Sequence, residues 1–66
     1  MNDEDIRWMN VKIIDYGSGV RVDLAKRNTI SGTEIKCLNA FAEKNNLTLL
    51  GILVDTNPFH TIFIKK

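Results

Sequence analysis

Gly17-Ser18-Gly19, inside Asp15 to Val20, is the stretch of this chain that most resembles a ligand loop. Glycines around a hydroxyl residue can cradle a phosphate when a strand leads into the loop and a helix N-terminus leaves it, because free N–H groups and the helix dipole then hold the anion. Here the residues that follow, Val20 to Lys26, alternate apolar with polar and read as a second strand. The loop also carries no lysine. The context is that of a hairpin turn.

Cys37 and His60 are the only cysteine and the only histidine. A thiol and an imidazole can act as nucleophile and base, with a carboxylate such as Asp55 or Glu43 orienting the ring. Cys37, however, falls on a short helical segment beside its apolar stripe, where a small buried thiol is ordinary packing. No catalytic residue is assigned. A single cysteine forms no intramolecular disulfide, and neither a Cys-x-x-Cys nor a His-x-x-x-His spacing is present. No metal and no cofactor are expected, and a lone thiol suits a reducing compartment.

A third set of residues could hold nucleic acid. The first hairpin is expected to place Lys12, Arg21 and Arg27 on the same outer face as Trp8 and Tyr16. Basic side chains bind phosphates and aromatic rings stack on bases. Asp15, Asp23 and Ile14 dilute the patch, and nine Lys and Arg against eight Asp and Glu leave a net charge of only +1. Nucleic acid is therefore the alternative reading.

The elements that position these residues follow from periodicity. Trp8 to Tyr16 and Val20 to Lys26 read as the arms of a hairpin. A two-residue loop at Gly17-Ser18 pairs Ile13 with Val22 and Val11 with Leu24, so the apolar sets coincide. Glycine followed by serine suits a type II′ turn, whose first central residue needs positive φ. Ser31 and Glu34 form a Ser-x-x-Glu capping box, with Ile30 and Ile35 at staple positions. The helix should run from Gly32 to Lys44 and stop at Asn45 or Asn46 in left-handed conformation. Its stripe is Ile35, Leu38, Phe41 and Ala42.

Thr48 to Asp55 is almost wholly apolar and reads as a central strand. Proline at position 58 belongs to the following turn, and Phe59 to Lys65 is the last strand. Pairing Asp55 with Phe59 sets Ile52 opposite Ile62 and Leu50 opposite Ile64. Leu50, Ile52, Val54, Ile62 and Ile64 would then face the helix.

The fold class expected is α+β. The order is β-β-α-β-β, a four-stranded antiparallel sheet of spatial order 2-1-3-4 with one helix on one face. All 66 residues form one domain, with residues 1–5, rich in Asp3, Glu4 and Asp5, as a frayed acidic tail. The acidic start is unlike a secretory signal, and the longest apolar run, Leu47 to Val54, is far short of a bilayer span. A cytoplasmic location is expected.

One helix covers one face of a sheet. The uncovered face is expected to carry Trp8, Ile14, Tyr16, Leu49, Leu53, Phe59 and Phe63, an apolar set that points to a protein partner, with all but Ile14 as the partner-binding residues. The expectation is a non-enzymatic binding protein acting by protein contact, either as a homodimer across that face or by occluding a larger partner. Inhibitors, antitoxins and regulators of phages and mobile elements are of this size and kind.

Overall fold

The computed structural model describes residues 1–24, 29–54, 56 and 58–66. Its first hairpin joins β1 (Lys12–Asp15) to β2 (Gly19–Asp23). The Gly17-Ser18 loop closes it: the Tyr16 N–H donates to the Gly19 carbonyl oxygen at 2.8 Å, and Ile13 pairs with Val22. Gly17 has φ 87°, the positive value that the first position of a II′ turn requires. The Asp15 carboxylate accepts the Gly17 N–H at 2.8 Å and fixes the turn from below.

Helix α1 (Gly32–Lys44) has the limits that its capping signals predict. Ser31 Oγ accepts the Glu34 N–H at 3.2 Å, and Glu34 Oε1 accepts the Ser31 N–H at 3.0 Å. Ile30 packs against the core from the staple position. At the other end Asn46 takes the left-handed conformation with φ 56°. Leu38, Phe41 and Ala42 are buried, with Ile35 at the margin.

The chain then forms β3 (Leu47–Leu53) and β4 (His60–Lys65). The sheet is four-stranded and antiparallel, so the α+β class holds, but its order is β1-β2-β4-β3 rather than the expected 2-1-3-4. β4 inserts between β2 and β3, which places β1 and β3 at the edges. Gly19 supplies a local reason. A Cβ there would lie 2.7 Å from the Phe63 carbonyl oxygen, so only glycine lets β4 come this close to β2. The contact is extended at both ends, where Lys65 N–H donates to Ser18 O at 3.1 Å and Leu24 N–H to Phe59 O at 2.8 Å.

The second correction concerns register. β3 and β4 pair through Leu49↔Phe63, Gly51↔Ile62 and Ile52↔Thr61, with a bulge at Leu50. The expected pairing of Ile52 with Ile62 is one residue out, and a one-residue slip exchanges the faces of a strand. Phe59 and Phe63 accordingly lie in the core rather than on the uncovered face, and Leu49 packs against that core. Ile62 and Ile64 face away from the helix, and Leu50 and Val54 are exposed. The bulge returns Ile52 to the helix side, as expected. Phe63 meets Phe41 of the helix edge-to-face, with ring centroids 5.4 Å apart.

The N-terminus differs as well. Residues 7–9 form a 3-10 turn instead of the start of β1, and Ile6 and Met9 are buried in the core. The acidic segment is tied to the end of α1: Lys44 Nζ lies 2.8 Å from Glu4 and 2.9 Å from Asp5, and Asn45 exchanges hydrogen bonds with the Asn2 backbone. These carboxylates hold the Lys44 ammonium above its ordinary pKa, the Glu4 hydrogen bond first. Burial of Ile6 and Met9 draws the tail in.

Candidate interaction surface

Alternation and register together define the face that α1 leaves open. Reading across β1, β2, β4 and β3, one row is Lys12, Asp23, His60 and Leu53, and the next is Ile14, Arg21, Ile62 and Gly51. The third is Tyr16, Gly19, Ile64 and Thr48. Tyr16 is 61% exposed, Ile64 45% and Leu53 39%, while Ile14 and Ile62 are half-buried. Apolar side chains thus stand on all the strands but β2, where Arg21 and Asp23 cross the middle as an ion pair. Hydrogen bonding to Asp23 holds the Arg21 guanidinium above its usual pKa, and the Tyr16 phenol adds to it. This charge is already partnered within the face.

Of the residues assigned to a protein partner from the sequence, Tyr16 and Leu53 are on this face. Phe59, Phe63 and Leu49 belong to the other side. Trp8 is exposed, but it sits in the 3-10 turn, its Nε1–H donating to the Asp5 carbonyl oxygen at 2.9 Å. The alternation that was to place it beside Lys12 therefore does not apply. Ile14 is on this face as expected, whereas Ile62 and Ile64 were missed as surface anchors. The available signal was volume: Phe59 and Phe63 are the largest apolar residues of the last strand, and the covered face buries the most area.

The nucleic-acid set is only partly assembled. Lys12, Tyr16 and Arg21 share the open face, Trp8 does not belong to it, and Arg27 lies outside the described residues. Cys37 and His60 are on opposite sides of the sheet, since Cys37 packs with the helix into the core and His60 lies in the outward row. His60 Nδ1 is 2.8 Å from the Pro58 carbonyl oxygen and 3.1 Å from Thr56 Oγ1. A carbonyl can only accept, so Nδ1 carries the proton and the ring braces the turn. Asp55 lies outside the described residues. Among those described, no group of three His, Cys, Asp or Glu is placed to hold a metal, and no helix is long and apolar enough to cross a membrane.

No family model matches the chain, and neither does any curated protein or solved structure.

Proposed function

We propose that the chain is a binding protein without catalytic activity, which works by pressing its open sheet face against a protein partner. The observation that carries this reading is the exposed set Tyr16, Ile64 and Leu53, backed by Ile14 and Ile62, opposite a helix that already covers the other face. Aromatic and aliphatic anchors dominate interface energies where a partner covers them. The internally paired Arg21 and Asp23 add hydrogen-bonding groups without an unmatched charge.

The test is affinity capture from the native host with the wild type and with Ile64→Asp, at low and at high salt. A protein held by the wild type at both salts and lost from the variant supports the proposal. A partner held equally by both variants removes it. Recovery of nucleic acid that is released as salt rises supports the alternative instead, because phosphate contacts weaken steeply with salt.

A further inference from the structure

The edges of the sheet are unlike one another. β1 is four residues long and begins and ends with the charged Lys12 and Asp15. Short edges and charged side chains are the usual means by which a strand avoids pairing with another chain. β3 is seven residues long, Leu-Thr-Leu-Leu-Gly-Ile-Leu, with no charge and no proline. Its one irregularity is the bulge at Leu50, and the strand stays extended through Leu53 despite it. Leu50 is 63% exposed, and Leu53 and Val54 continue the apolar border. A segment that reads as a central strand stands at an edge in the monomer.

Helix α1, which packs beside this edge, carries one cation and one anion on its exposed side, Lys36 and Glu43. Asn39, Ala42, Glu43, Leu47, Leu49 and Lys66 line a groove between α1 and β3, of about 330 Å³. Lys36 lies one turn before Asn39, and Glu43 one turn after it. Neither Lys36 nor Glu43 makes an ion pair among the described residues. A two-fold axis through the middle of β3 would bring antiparallel edges together and set Lys36 of one copy and Glu43 of the other on the same side of the joined sheet.

We infer that the chain dimerises by pairing β3 with β3 of a second copy, so that two four-stranded sheets become one sheet of eight strands. Unpaired backbone groups along an extended edge are best satisfied by another strand, and an isologous contact uses the same patch on both copies. Because β1 is guarded, the assembly closes at two copies. The open faces join side by side and remain available to a partner, so this inference does not depend on the function proposed above.

Light scattering on the eluting protein at its highest soluble concentration is expected to give twice the 7.5 kDa chain mass. Leu50→Lys should give one chain mass with an unchanged circular dichroism spectrum. Lys36→Glu should weaken the dimer at least several-fold, and the exchange Lys36→Glu with Glu43→Lys should restore it. Hydrogen exchange supplies a readout independent of variants: β3 amides should slow as protein concentration rises, and β1 amides should not. A monomeric wild type, a dimer that survives Leu50→Lys, or β3 exchange independent of concentration overturns the inference. A dimer lost in Ile64→Asp and kept in Leu50→Lys also overturns it, and assigns self-association to the open face. Open-ended oligomers contradict the guarded β1 edge and overturn closure at two copies.

Discussion

Replacing Phe63 by Ala and, separately, Ile64 by Ala tests the register on which every assignment of faces depends. Phe63 is 1% exposed and touches Phe41 edge-to-face, whereas Ile64 is 45% exposed on the far side of the same strand. Truncating a fully buried phenylalanine costs about 3–5 kcal/mol through lost transfer energy and the cavity left behind. An aromatic pair of this geometry accounts for about 0.5–1.5 kcal/mol of that. At roughly 0.05–0.15 kcal/mol per residue, a chain of 66 residues has a total stability of about 3–10 kcal/mol. Phe63→Ala therefore removes a large share of that stability, or all of it. Ile64→Ala removes half-solvated methyl groups and should cost about 0.5–1 kcal/mol. Equilibrium urea unfolding followed by circular dichroism measures both, and the slope against urea checks that the unfolded state is unchanged. An Ile64→Ala penalty equal to or larger than that of Phe63→Ala refutes the register, and with it the identity of the open face.

Three other outcomes follow from the same contacts. Gly19→Ala should destabilise by about 1–3 kcal/mol, since the new methyl group meets the Phe63 carbonyl oxygen of the neighbouring strand; Gly51→Ala, where a Cβ meets nothing within 4 Å, is the control. Ser31→Ala should cost about 1 kcal/mol by removing the cap on α1, read from thermal unfolding. The Gly17 N–H, then Lys65, hold the Asp15 carboxyl below its ordinary pKa. A depressed carboxyl contributes stability above the unfolded value of about 3.9 and loses it as pH falls through the lower folded value. The urea midpoint of the wild type should therefore fall more between about pH 5 and pH 2.5 than that of Asp15→Asn, and an equal fall in both removes the contribution.

The first hairpin and the helix were legible because their signals are local. A glycine at a II′ position, alternation on either side and a capping box each fix a few neighbouring residues without reference to the rest of the chain. The order of strands was not legible, because it depends on the close approach of Gly19 to Phe63, more than forty positions away. Leu50 hid the register of the second hairpin. In a run as apolar as Leu47 to Val54 a bulge changes no pattern, and nothing in the composition marks which leucine is the extra one. The surface assignment inherited that slip, exchanging Ile62 and Ile64 for Phe59 and Phe63. The N-terminal segment was misread for a different reason, since its acidic residues outnumber Ile6 and Met9, whose burial decides where it lies.

Site-specific photo-crosslinking tests the central claim, contact through the open face, most directly. A benzophenone side chain is placed at position 64, on the open sheet face, or at position 40, half-buried on α1 on the other side of the sheet, and each protein is irradiated in extract of the native host. The account predicts a discrete adduct with a protein partner from position 64 and none from position 40. An adduct formed from position 40 alone, or none from position 64 while the protein is folded, contradicts it.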